Sequence, residues 1–324
     1  MPSGHLFLPS GRIVSQVANI LVILDPLASD QPALTKAAVL AKFFGASVEM
    51  LLCDTPISLQ QRIARNHSLP PGAAPSDLRA WLDDLAAPLR AKDIEVSTAT
   101  SFGDPLHQAL LKYLADSPAD LIVKDTHHHS VWRRTFLSNT DWHLIRGCAR
   151  PLLLTKPTRW HEPLRIAAAV DPGHEHDPQN LVDHAILKHA TALAAATKST
   201  VDVFHSYFPA MLTSPFDAGF PTPVLIPNET LDAERALHEQ RLTGLLDSAA
   251  LPLGKEYIEM GVAGDFLPRA ALEAQTDVIV MGGISRSRLK QAILGGTAER
   301  LLEHLPCDIL TVKPVDWGAS LPIF

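Results

Sequence analysis

The chain is poor in cysteine and has no long uncharged apolar run, and each shortage closes off a class of protein. Three cysteines, Cys53, Cys148 and Cys307, stand far apart among 324 residues. They form no Cys-x-x-Cys pair and no even-numbered disulfide framework, a usage that suits a reducing cytoplasm. No stretch is apolar for long enough to suggest a membrane span, so no integral membrane association is expected. The start, Met1-Pro-Ser-Gly-His5, has no basic stretch followed by an apolar core, and so does not read as a secretory signal. The formal net charge is −7. That balance weighs against bulk nucleic-acid binding. What is present is apolar mass: 46% of residues are hydrophobic, enough for sizeable cores, and the length fits about two domains.

Two stretches read as one module written twice. The first runs Leu121-Ile-Val-Lys-Asp125 and ends Leu152-Leu-Leu-Thr-Lys-Pro157; the second runs Val278-Ile-Val-Met-Gly282 and ends Ile309-Leu-Thr-Val-Lys-Pro314. A shift of 157 positions lays strand on strand, Thr140 on Thr297 and Lys156-Pro157 on Lys313-Pro314. Under that shift Gly282, Gly295 and Gly296 meet Asp125, Ser138 and Asn139. Each half also begins with an apolar run closed by Asp-Pro, at Asp25-Pro26 and Asp171-Pro172. Duplication followed by loss in one half predicts an asymmetric protein, with one nucleotide site and one half given to another task.

Apolar runs of this length fit strands buried on both faces, as in parallel sheets. Helical patterns follow them at Ala33 to Phe44, closed by Gly45 as a C-cap, and at Leu181 to Ala196. Second strands at Ser47 to Cys53 and Thr200 to His205, proline-rich stretches, and helices at Leu78 to Ala91 and Leu231 to Ala249 come next. A third strand, Gly103-Asp-Pro105 or Gly264-Asp-Phe-Leu-Pro268, then helix, strand, loop, helix and strand complete each half. Alternating strands and helices imply parallel βαβ units with right-handed crossovers. The expectation is two open parallel five-stranded α/β units, residues 1–157 and 158–324, with the linker at Pro157 to Pro163.

The stretch with chemistry lies between the fourth strand and last helix of the second half: Met281, Gly282, Gly283, Ser285, Arg286, Gly295, Gly296 and Thr297. Ligands in such sheets bind at the carboxyl ends of strands, where the strand order switches. Glycine there lets the backbone approach an anion, and the next helix offers free N–H groups and a partial positive charge. Gly295-Gly296-Thr297 precedes such a helix. Thr297 would cap it or give a hydroxyl to phosphate. Arg286, Arg288 and Lys290 add positive charge. The plain alternative is that the glycines only permit a tight turn and helix packing.

The spacing of Gly282, Ser285 and Gly295 resembles the universal stress protein family, whose nucleotide-binding members place glycines in those three slots before a small hydroxyl residue. The resemblance to tandem members of the universal stress protein E type is closer. It rests on Gly295-Gly-Thr-Ala-Glu299, on Cys307-Asp-Ile-Leu-Thr-Val-Lys-Pro314, on Thr126-His-His-His129 and on Thr140-Asp-Trp-His-Leu-Ile-Arg146. It implies two adenine-nucleotide α-hydrolase-like (Rossmann-like) units packed as an intramolecular pseudo-dimer, with Leu152 to Thr155 facing Ile309 to Val312. It also implies ATP or ADP, with Mg²⁺ as a companion, in the second half of a stress-response protein. Asp171 would then lie beside adenine or ribose, and Gly282, Ser285, Gly295, Gly296 and Thr297 around the phosphates. Ser285 departs from the family's glycine and makes a positive φ harder to reach.

No Walker lysine follows the glycines and no paired carboxylates stand ready for Mg²⁺, so any ATP hydrolysis is expected to be slow. In the first half Asp125 would repel phosphate, and no nucleotide is expected there. His127, His128 and His129 are candidate zinc ligands, one or two of them joined by Asp125, His107 or Asp104, since three adjacent residues cannot easily all face one point; the alternative is a polar loop. His174 and His176 are expected in solvent. Cys148 and Cys307 read as small buried hydrophobes. Three function classes stay open: a nucleotide-responsive stress protein, a slow ATPase, and a carrier or sensor of a hydrophobic or metal ligand in the first half. Two tandem chains could also pair as a homodimer.

Overall fold

The computed structural model describes residues 17–25, 30–54, 75–126, 137–174, 177, 179–207, 227–283 and 301–314. The first half comprises β1 (Asn19–Leu24), α1 (Pro32–Phe44), β2 (Ser47–Asp54), α2 (Pro75–Arg90), β3 (Val96–Phe102), α3 (Leu106–Asp116), β4 (Leu121–Asp125), α4 (Asn139–Gly147) and β5 (Leu152–Thr155). The second comprises β6 (Ile166–Ala169), α5 (Leu181–Thr197), β7 (Val201–Tyr207), α6 (Asn228–Asp247), β8 (Leu253–Met260), α7 (Ala263–Glu273), β9 (Val278–Gly282) and β10 (Asp308–Val312). Helical residues 301–304 precede β10.

The strands form one ten-stranded sheet in the order β3-β2-β1-β4-β5-β10-β9-β6-β7-β8. Within each half every pairing is parallel. The halves meet where β5 and β10 run antiparallel, with Leu152, Leu153 and Leu154 opposite Thr311, Leu310 and Ile309. The two five-stranded units thus merge edge to edge into one pseudo-symmetric sheet. This removes two edges that would otherwise present unpaired backbone groups.

The uninterrupted apolar runs have a direct cause. In β1, Ile20, Val22 and Leu24 enter the core under α1, α2, α5 and α6, while Leu21 and Ile23 enter the core under α3, α4 and α7. A strand covered on both faces has no position left for a polar side chain. Pro32 opens α1, where its missing N–H costs nothing, and Gly45 closes it at φ +67°, donating its N–H to Ala41.

Polar groups lock the junction between the halves. Asp308, 1% exposed, accepts Lys36 Nζ at 2.6 Å, the Lys156 N–H at 2.8 Å and Trp160 Nε1 at 2.8 Å. Lys36 also donates to the Lys156 carbonyl at 2.7 Å. One carboxylate therefore ties α1 and the linker to β10. From the opposite strand end, Lys313 Nζ donates to the carbonyls of Arg146 at 2.7 Å and Cys148 at 2.5 Å, at the C-terminus of α4. Asp277 holds the linker from below, accepting the N–H groups of His161 at 3.1 Å and Arg165 at 2.9 Å.

Two outcomes follow from this junction. Asp308→Ala leaves the Lys36 ammonium buried without its counter-ion and should cost about 3–5 kcal/mol, read as a lower urea midpoint with an unchanged slope. Burial pushes the Lys313 amine down from 10.5 to about 8. The folded chain then releases that proton before the unfolded chain does, so stability rises with pH across this window. Between pH 8 and 10.5 the wild type should gain up to about 3 kcal/mol relative to Lys313→Met, measured by urea unfolding of both at each pH.

Candidate nucleotide site

The strand order switches between β6 and β9 in the second half and between β1 and β4 in the first. Loops leave the sheet in opposite directions there, opening a crevice at the strand carboxyl ends. In the second half the crevice holds a pocket of about 290 Å³, close to the lower end of small-molecule sites. Ala169, Phe204, Leu267, Met281 and Leu301 give it apolar walls, and Asp171, His174 and Ser206 bring polar groups to it.

The turn that carries Asp171 is pinned by its own neighbours. The Asp171 N–H donates to Asp183 Oδ1 on α5 at 3.0 Å, and Gly173, at φ +79°, donates its N–H to Asn180 Oδ1 at 3.0 Å. Asp177 accepts the N–H groups of Leu181 and Val182 with its two oxygens, at 3.0 Å each. The N-terminus of α5 is thereby closed by a carboxylate of the chain, so an anion in this crevice must use other amides. His174 was expected in solvent; instead it is half-buried in the pocket, with Nε2 3.9 Å from Asp171 Oδ2.

Gly282 ends β9 against α5. A Cβ built on it would stand 2.7 Å from Cγ1 of Val182, and one on Gly283 would meet Thr311 Cβ at 3.3 Å. The first glycine is therefore required by packing, whatever ligand lies beside it. Of the candidate set, Asp171, Met281 and Gly282 line one pocket, and Gly283 sits next to them, its N–H donating to Val312 at 2.9 Å. Ser285, Arg286, Gly295, Gly296 and Thr297 lie outside the described residues.

The first half solves the same geometry with side chains. Asp125, at the position equivalent to Gly282, accepts the Ala33 N–H at the start of α1 and the Thr155 hydroxyl, both at 2.6 Å. Its carboxylate lies where the α1 dipole is positive. Ser138, equivalent to Gly295, caps α4 in a reciprocal box. Its hydroxyl accepts the Asp141 N–H at 3.2 Å, and Asp141 Oδ2 accepts the Ser138 N–H at 2.7 Å. Lys124 Nζ balances Asp141 at 2.8 Å. The helix end that would face an anion is thus already satisfied.

The candidate zinc ligands His127, His128 and His129 lie outside the described residues. Among the described residues, no group of three or more His, Cys, Asp and Glu side chains is placed to hold a metal. His107, one of the residues expected to join them, stacks on His143 with ring centres 3.7 Å apart. The cysteines are buried and free. Burial pushes the Cys307 thiol up to about 12 and raises that of Cys148, so neither is a poised nucleophile. Among the described residues no helix is long and apolar enough to cross a membrane.

The model of the universal stress protein family matches residues 17–156 and again 164–313. Universal stress protein E of Escherichia coli strain K12 is 25% identical over 304 residues, which are 91% of this chain and 94% of that protein. A crystal structure of a functionally unknown protein from Pseudomonas aeruginosa PAO1 superposes with a TM-score of 0.69 at 26% identity, covering 93% of this chain and 94% of that one. A universal stress protein from Archaeoglobus fulgidus shares the fold, with a TM-score of 0.60 at 14% identity over 93% of this chain and 98% of that one.

The packing role of Gly282 is separable from any ligand. Gly282→Ala should destabilise the free protein by about 1–3 kcal/mol through overpacking, and adding Val182→Ala should recover most of that loss in thermal unfolding. A Gly282→Ala protein as stable as the wild type would show that α5 yields freely.

Proposed function

The chain belongs to the universal stress protein family, and on that premise we propose that its second half binds ATP or ADP and that the chain acts as a nucleotide-responsive regulatory protein in the stress response. One contrast carries the reading. In the first half the helix after β4 is closed by the Ser138–Asp141 box. The equivalent positions of the second half are Gly295 and Ala298, which supply neither the hydroxyl nor the carboxylate. A helix beginning at those positions would lack that closure, and a phosphate group is a fitting partner for its first amides.

The rest of the crevice fits a nucleotide in kind. The apolar walls from Phe204, Leu267 and Met281 suit a base, and the half-exposed Asp171 carboxylate suits a ribose hydroxyl. Gly282 and Gly283 bring bare backbone to the phosphate side. Arg286 and the Thr297 hydroxyl would complete the phosphate contacts, and Mg²⁺ would accompany the nucleotide as its counter-ion. These residues would bind and orient, and no Walker lysine follows the glycines in the sequence. Turnover should be slower than about 0.01 s⁻¹, in the range of unassisted hydrolysis on nucleotide-binding scaffolds.

Native mass spectrometry and titration calorimetry test this together. One ATP or ADP should bind per chain, and Gly295→Asp should weaken binding at least about tenfold by placing a carboxylate where phosphate would lie. Two equivalents per chain, or none at millimolar nucleotide, would sink the reading.

A further inference from the structure

A second cavity, of about 460 Å³, lies between the halves and shares no lining residue with the nucleotide crevice. It is roofed by α1 and α5 and floored by the junction strands, with Leu40, Phe44, Leu153, Trp160, Leu193 and Leu310 as its apolar surface. Its size is that of a small-molecule site. Neither half contains it alone, since α1 and β5 come from one and α5 and β10 from the other.

Its polar wall groups narrow what it can hold. Arg150 donates to the carbonyls of Ser117 and Ala119. Lys313 donates to those of Arg146 and Cys148. Asp120 accepts the N–H groups of Ala18 and Asn19 at 2.9 and 3.0 Å. Lys188 stands exposed at the rim, where water solvates its ammonium. These charges are already satisfied by the fold or by solvent.

His189 is different. Its Nδ1 lies 2.8 Å from the Ala185 carbonyl, one helical turn back on α5. A carbonyl cannot donate, so Nδ1 carries the proton and Nε2 carries a lone pair. Burial lowers the pKa of this ring, against the pull of the Ala185 carbonyl, and Lys188 lowers it further. The imidazole is therefore neutral near pH 7. Nε2 makes no hydrogen bond to the described residues, and His189 is among the residues that line the cavity.

We propose that the interlobe cavity binds a compact, uncharged apolar molecule with one O–H or N–H donor, which His189 Nε2 accepts. An anion would meet a lone pair instead of a donor. A pure hydrocarbon would leave the imidazole nitrogen desolvated and unpaired. This site is independent of the nucleotide reading and survives its failure.

Suitable probes are 2-naphthol, its methyl ether, which keeps the ring and oxygen but has lost the donor, and 2-naphthoate, which adds a negative charge. In calorimetric titrations of the full chain, naphthol should bind once per chain and roughly tenfold more tightly than the ether. His189→Leu should bring the naphthol-to-ether ratio close to one. Ala192→Trp, which fills the cavity from a half-exposed position on α5, should abolish binding of both. Equal affinity for naphthol and ether in the wild type would overturn the proposal without any variant having to fold. So would naphthoate binding more tightly than naphthol, or undiminished naphthol binding by Ala192→Trp.

Discussion

The Asp308 carboxylate, buried where β10 begins, is the contact on which the two-half arrangement depends. Charge in that position is expensive unless every lone pair is engaged, and here an ammonium, an indole N–H and a backbone N–H engage it. The three donors come from α1, the residue that follows β5 and the linker, so satisfying one carboxylate fixes three segments at once. Burial still pushes the Asp308 pKa upward against those donors. The pair therefore specifies geometry more than it adds net stability. With β10 set against β5, the sheet runs through both halves, and both switch points fall at defined places along it.

The two halves then diverge at their helix starts. A helix leaves its first N–H groups without internal partners, and something must meet them. The first half meets them from within: Asp125 reaches α1, and Ser138 with Asp141 closes α4. The second half meets the α5 start with Asp177 but has Gly295 and Ala298 where the box would be. The Asp125 position shows the same divergence in packing terms. A carboxylate fits there because the facing helix presents an amide, while Gly282 is imposed because α5 presents the Val182 methyl.

Local regularities made much of this readable in advance. The doubled Lys-Pro ends, the Asp-Pro turns and the apolar runs are short-range features, and they marked out two alternating, parallel α/β units; the meeting of β5 with β10 was implied by the family resemblance, and the strand order comes from the structure. Long-range contacts were not readable. Lys36 and Asp308 are 272 residues apart, and no spacing rule links them. Gly282 reads as a ligand glycine until Val182 is placed opposite. Asp177 caps a helix four residues downstream, beyond the usual adjacent cap position. Asp125 was in view as the obstacle to phosphate; the reciprocal bonding of Ser138 and Asp141 closes the helix start as well. His174, expected in solvent, keeps 32% of its side chain exposed while lining the pocket.

The Asp125 bond to Ala33 has one more consequence. An anion covalently attached to the chain is present at an effective concentration that no dissolved metabolite approaches. The N-terminal half therefore keeps its helix start saturated whatever the cell contains. A half that relies on a diffusible anion gains stability in proportion to the logarithm of that anion's abundance. Side by side on one sheet, a second half that met its helix start in that way would be a variable gauge against a fixed reference.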